Sequence, residues 1–485
     1  MPREWLDPVA WLILLPLAWA SVAFVMGPRR GARLALLGLV LQVGLALRLA
    51  FDVVNLGPRT YAVGGWGAPL GIDLMADGLA ALMLLMTAAV ALPLGVYARA
   101  YYRTKPRGGE WFWPLLGFLL AGLNALFLAA DLFNLYVSLE ILGLAAVALT
   151  AASRERHAVA AGLRYLLATL LGSGAYLMGV ALIYGTYGSV ALETLTPLLQ
   201  PLPITVLAFA LMTLGMLLKT ALFPLHFWLP PAHGGAASPV SALLSALVIK
   251  ASFYLLLRLW FGLFAPLTTV AAAQLLGVLG AAAILWGSVL ALRQSRLKML
   301  VAYSTVAQVG YLFLVFPLAT GVAPETATTA LQGGVMQILA HALAKAAMFA
   351  AAGAMIVAVG RDDIAGLYGV GARLPVTLFS FALAAVTLMG LPPSGGFSAK
   401  WLLLMAALDS GQWWWVVVMI VGGLLAAAYV FKVLRQAFIP ARSGAAVKGV
   451  PRALELSALA LALAAILLGL FGAEPLLLLN TGVAP

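Results

Sequence analysis

The chain has 485 residues, of which 64% are hydrophobic and 9% charged, and it carries a net charge of +12. So few charges cannot cover a soluble protein of this length, and the basic residues sit in short turns between apolar runs, a membrane pattern and not a nucleic-acid one. Cysteine is absent, which excludes disulfides, thiolate zinc sites and iron–sulfur clusters.

Apolar runs of about 20 residues match a hydrocarbon core about 30 Å thick, so the expected fold is an all-α polytopic membrane protein. Fourteen spans are predicted: 9–26, 34–54, 72–98, 112–130, 132–151, 159–186, 204–223, 239–261, 269–291, 299–319, 326–358, 375–391 continued by 397–410, 413–434 and 454–478. The first ends in Ala-Trp-Ala-Ser-Val-Ala, like a signal-peptidase site, but Arg29, Arg30 and Arg33 follow at once and a retained helix is expected. The segment 55–71, rich in glycine, is too polar and broken to span and reads as an external loop with a small hairpin. Asp131 is the expected turn or N-cap between the fourth and fifth spans.

The seventh span runs through Lys219 into Pro224, Pro230 and Pro231, and the twelfth is cut by Pro392, Pro393, Gly395 and Gly396 just before Lys400. Such residues remove helical hydrogen bonds and admit a turn, which lipid tolerates only inside protein or beside a wet cavity. The two breaks are five spans apart, so the second unit must be inverted relative to the first, as in many transporters. The expected organisation is spans 1–3 with the external loop in 1–111, a first five-helix repeat in 112–262 (spans 4–8), a second in 263–437 (spans 9–13), and the last span in 438–485. With the N-terminus outside, twenty of the 28 lysines and arginines fall in cytoplasmic turns, four lie outside, and four are buried lysines. Both termini are therefore expected on the outer, periplasmic side of a bacterial or archaeal inner membrane.

Those four lysines, Lys219, Lys250, Lys345 and Lys400, interrupt apolar spans far from their ends, as do Glu140 and His341. An ionisable group at bilayer depth costs about 3 kcal/mol on insertion scales and marks an ion pathway by default. The residue types fit a proton relay: lysine, histidine and glutamate can exist charged or neutral, whereas arginine stays protonated. His341 and Lys345 are one helical turn apart and so share a face. Asp77, Asp131, His226 and His233 are auxiliary or access positions. Each has a plainer alternative: Lys219 and Lys400 could cap carbonyls freed by the breaks, Lys250 and Lys345 could be structural partners of other helices, and His226 and His233 could belong to an ordinary loop. No cofactor, metal or catalytic centre is indicated, and any redox chemistry would reside in another subunit.

Five stretches, Ala130 to Glu140, Lys219 to Pro230, Pro239 to Lys250, His341 to Lys345 and Leu391 to Lys400, resemble the antiporter-like membrane subunits shared by Mrp cation/proton antiporters, respiratory complex I and membrane-bound hydrogenases. The resemblance runs from about residue 60 to 435. Gly64 to Asp77 and Leu120 to Asn134 are most similar to the Mrp D subunit, whereas the surroundings of His226 and His233 resemble the complex I and hydrogenase versions. The resemblance implies that Glu140 pairs with Lys219, that Lys250, His341 and Lys345 form a central relay, and that Lys400 is its terminal site. It implies a proton-translocating subunit of a multisubunit antiporter, partnered by other membrane subunits and moving protons with sodium or potassium. The alternatives are a proton-pumping subunit of a redox complex and the proton-driven partner of an inorganic carbon uptake system.

Overall fold

Backbone amides and carbonyls cannot stay unpaired in hydrocarbon, so apolar runs of this length fold as helices that satisfy themselves. The computed structural model describes residues 7–68, 70–440 and 447–481; both termini, 1–6 and 482–485, residue 69 and the segment 441–446 lie outside the described residues. The first helix, α1 (Pro8–Leu56), has 49 residues and turns back on itself at Gly27, whose φ of +75° only glycine adopts freely. Its two limbs pack together: a Cβ at Gly38 would lie 2.5 Å from the Trp19 ring. Arg59 ties the two ends by bonding Asp7 at 2.9 Å and Asp52 at 3.1 Å.

The external loop forms an antiparallel pair, β1 (Arg59–Ala62) and β2 (Asp73–Ala76), with Arg59 opposite Ala76. The third span consequently begins at Gly78 and not near 72, because Asp73–Ala76 is held in the hairpin. Helices α2 (Gly78–Thr104), α3 (Gly109–Leu128), α4 (Leu132–Ala151) and α5 (Arg156–Tyr187) follow.

The seventh span extends beyond its predicted end. Helix α6 (Pro203–Thr220) stops where Ala221 turns left-handed at φ +57°, and after a turn the chain re-forms as α7 (Leu229–Gly235). Pro224 lies in the break, whereas Pro230 sits in the first turn of α7, where a missing amide costs nothing. Next come α8 (Ser238–Leu263), α9 (Val270–Arg293), α10 (Leu297–Ala319) and α11 (Pro324–Val359). The twelfth span is two short helices, α12 (Pro375–Met389) and α13 (Gly395–Asp409), separated by Gly390 at φ +81° and the Pro392–Pro393 pair. Gly395 and Gly396 open α13; a Cβ at Gly396 would collide with the Thr387 carbonyl, so the half-helices touch backbone to backbone. Helices α14 (Trp413–Phe438), α15 (Arg452–Leu470) and the short α16 (Ala473–Asn480) complete the described chain.

Among the described residues, twelve helices are long and apolar enough to cross a membrane. That number takes α1 as one and omits the split twelfth span, so the fourteen predicted spans are all present as helical segments. Burial separates the lining from the core: α8 is wholly buried in its apolar window and α10 and α11 are 89% buried, while α1, α14 and α15 are 33% buried. Lys250 belongs to α8, and His341 and Lys345 to α11.

Candidate functional site

Lys219 stands in the last turn of α6, its ammonium donating to Thr169 Oγ1 at 2.7 Å with Glu140 Oε1 at 3.7 Å. Two glycines clear its path: a Cβ at Gly143 would approach Thr169 Oγ1 to 3.0 Å, and one at Gly172 would approach Lys219 Cγ to 3.0 Å. The ion pair is loose, and Glu140 Oε1 accepts no hydrogen bond among the described residues. Beside it lies a cavity of about 20 Å³ lined by Thr169, Lys219, Trp228 and Ser252, space for about one water. Ser252 also accepts a bond from Thr220 Oγ1 at 2.9 Å, two residues along from Lys250.

In α8 the helix widens to a π-turn over Leu244–Val248, and the Lys250 ammonium donates to the Ser245 carbonyl within it. Ser245 Oγ meets Thr305 Oγ1 of α10 at 2.9 Å. Lys345 of α11 donates to the neighbouring Ser304 hydroxyl and, at 3.0 Å, to the Val301 carbonyl. His341 is 1% exposed, neither ring nitrogen has a hydrogen-bond partner among the described residues, and it lies within electrostatic reach of Lys250, Lys345, Lys400 and His233. A buried imidazole with both nitrogens unpaired is costly unless water or a proton donor visits it.

Lys400 reaches from α13 to the open end of α12, donating to the carbonyls of Leu388 at 2.8 Å and Met389 at 3.2 Å, with its ammonium 4.2 Å from the centre of the Tyr311 ring. Gln308 donates to the same Leu388 carbonyl at 3.0 Å and accepts from Gln337 at 3.1 Å. Helix α10 is therefore a polar spine. Val301, Ser304, Thr305, Gln308 and Tyr311 recur at helical spacing on one face, and each touches a buried lysine or a group that a buried lysine touches.

The structure thus brings Lys250, His341, Lys345 and Lys400 around α10, with Lys219 sharing its small cavity with Ser252, two residues along α8 from Lys250. His233 joins this centre: it is 1% exposed, its Nδ1 is unpartnered, and Lys250, Lys345 and Lys298 act on it electrostatically. His226 does not join it; it sits half-buried in the α6–α7 break against Phe223. Asp131 N-caps α4, accepting from Asn134 N at 2.6 Å, and burial aided by the nearby Asp73 charge pushes its carboxyl up. Asp77 caps α2 and is held bidentate by Arg258, so it is already spent on an ion pair.

Sequence reading missed three features. Lys298, counted with the surface turns, is 7% exposed and donates to the Ala236 carbonyl at the floor of a basin of about 560 Å³. The signal was its place at the head of an apolar span. Arg258, assigned to the outer surface, is at that end but buried against Asp77. The α10 ladder was invisible because serine, threonine and glutamine in a span are unremarkable until their partners are known.

Comparison with known proteins accords with this geometry. Residues 129–426 match the family described as NADH:quinone oxidoreductase/Mrp antiporter, TM. The chain is 38% identical over 424 residues to NADH-quinone oxidoreductase subunit N of Desulforudis audaxviator, covering 86% of this chain and 82% of the relative. It is 31% identical over 369 residues to the D subunit of the Na(+)/H(+) antiporter of Bacillus subtilis, covering 75% and 73%. Its fold is similar to a chain in the structure of the Mrp complex from Dietzia sp. DQ12-45-1b, with a TM-score of 0.89, 26% identity and coverage of 98% and 96%. These matches define the class, a multi-pass antiporter-like membrane subunit. The chain belongs to the NADH:quinone oxidoreductase/Mrp antiporter transmembrane family.

Proposed function

We propose that the chain translocates protons through its apolar centre, as the D-type subunit of a Mrp-like cation/proton antiporter working among other membrane subunits. The observation that carries this reading is the α10 ladder, which gives three buried lysines on three other helices a common line of hydroxyl and amide groups. Protons would pass Glu140 and Lys219, cross through Lys250, His341 and Lys345, and reach Lys400. The unpartnered His341 nitrogens can accept and release a proton in turn, and the spaces between members call for bridging water. On this reading two inverted five-helix repeats would each carry one broken helix with a lysine at its break, Lys219 in the first and Lys400 in the second. The basic face, with its basin above Lys298, is taken as cytoplasmic, which leaves both termini on the outer side.

A second reading is supported by the 38% identity to an NADH-quinone oxidoreductase subunit N: the same relay driven by a redox partner. Everted vesicles holding the assembled complex separate the two. Sodium- or potassium-dependent proton movement with no electron donor supports the antiporter; proton uptake only with a donor, indifferent to either cation, supports the pump. If Lys250→Ala moves protons as well as the unaltered protein under both conditions, the relay itself is wrong.

A further inference from the structure

The basic face carries a second concavity, and none of the buried lysines lines it. Arg29 and Arg33 are one turn apart on the second limb of α1, and Arg99 and Arg103 are one turn apart at the end of α2; together with Trp113 they line a cavity of about 540 Å³. The Gly27 turn starts the limb that presents the first pair. Among the described residues, ion pairs of arginine are made by Arg48, Arg59, Arg107, Arg258, Arg296 and Arg361, so these four have no carboxylate partner there. The single acid in the lining is Glu110. Four guanidiniums against one carboxylate, each a rigid fork of donors, form a site for phosphate oxygens.

What lies beneath them selects among phosphates. One turn deeper than Arg33 and Arg99 stand Leu37 and Val96, 58% and 40% exposed. The two helices meet where Gly95 faces Leu36 and Leu39. The cavity is thus cationic at the membrane boundary, with exposed apolar side chains one turn deeper on both helices. We propose that it binds an anionic phospholipid, its headgroup phosphate held by the four arginines and an acyl chain lying along Leu37 and Val96. A free phosphate would satisfy the guanidiniums but leave Leu37 and Val96 uncovered.

The test uses the full chain in phosphatidylcholine nanodiscs, titrated with phosphatidylglycerol bearing a photoactivatable acyl chain. Phosphatidylglycerol should be retained over phosphatidylcholine and should crosslink near Leu37 and Val96. An arginine facing an anionic lipid contributes about fivefold in binding, so R99Q/R103Q should weaken retention about 25-fold while R99K/R103K largely restores it. Equal retention by the unaltered chain and R99Q/R103Q overturns the proposal. So does displacement of the lipid by millimolar inorganic phosphate, which would mark a simple anion site. So does a crosslink in the assembled complex to an acidic segment of another subunit in place of lipid. Should R99Q/R103Q fail to fold, the crosslink position and the choice between the two lipids in the unaltered chain decide the matter.

Discussion

The two broken spans hold their lysines in different ways. Lys219 has a carboxylate at 3.7 Å, a hydroxyl at 2.7 Å and room for about one water. Lys400 has two carbonyls and the face of Tyr311, and among the described residues no carboxylate within ion-pair distance. At Lys400 the negative end of a half-helix, with its freed carbonyls, stands where Lys219 has a counterion. Departure of the proton leaves a bare anion at Glu140 in the first case and only dipoles in the second. On the proposed relay, the Lys219 site would therefore have a switch that the Lys400 site lacks.

The largest effects should be shared by both halves. Lys219→Met and Lys400→Met should each lower proton translocation by about 100-fold or more, since removing a proton-transfer group typically costs 10²–10⁴, read as pH change in vesicles of the assembled complex. Their stabilities should then diverge. Lys219→Met strands the Glu140 carboxylate and should destabilise by about 1–3 kcal/mol, less than a fully buried pair because Glu140 is 19% exposed. Lys400→Met leaves the Leu388 carbonyl bonded to Gln308 and should be neutral within about 1 kcal/mol. Equal thermal shifts for the two variants would dissolve the contrast.

Next in size is Glu140→Gln, which keeps the shape of the side chain and removes the switch. Translocation should fall about tenfold with the fold intact. Gln308→Leu probes the other half: it should cut the link between Gln337 and the Leu388 carbonyl that Lys400 shares, and lower translocation by a few-fold to about tenfold. A Gln308→Leu protein as active as the unaltered one would show that protons bypass the α10 ladder.

Much of this was legible in the sequence, for a physical reason. Bilayer thickness sets helix length, so composition alone located fourteen spans, and proline–glycine clusters announced both breaks. Buried charge is so costly that Lys219, Lys250, Lys345 and Lys400 stood out unaided. What could not be read was pairing across helices. Lys298 and Arg258 looked like surface residues because they lie near span ends, where sequence cannot tell a residue facing water from one folded under a neighbouring helix. The helix Leu229–Gly235 was hidden because prolines that end one helix are equally at home in the first turn of the next. The serine, threonine and glutamine side chains of α10 carry no charge, so nothing in their own cost marked them out.

The smallest expected effect tests what holds Lys400. Tyr311 offers two handles: its ring face 4.2 Å from the ammonium, and a hydroxyl donating to the Met419 carbonyl at 3.2 Å. That carbonyl lies within α14 and keeps its helical bond if the hydroxyl is removed. Tyr311→Phe should therefore change stability by no more than about 1 kcal/mol and translocation by less than about twofold. Tyr311→Leu removes the ring quadrupole and should cost more in both, about 1–2 kcal/mol. If Phe proves as damaging as Leu in the same vesicle assay, the hydroxyl and not the ring matters at Lys400. The second half would then rely on a hydroxyl partner much as Lys219 relies on Thr169, and the two broken helices would be more alike than their carboxylate count suggests.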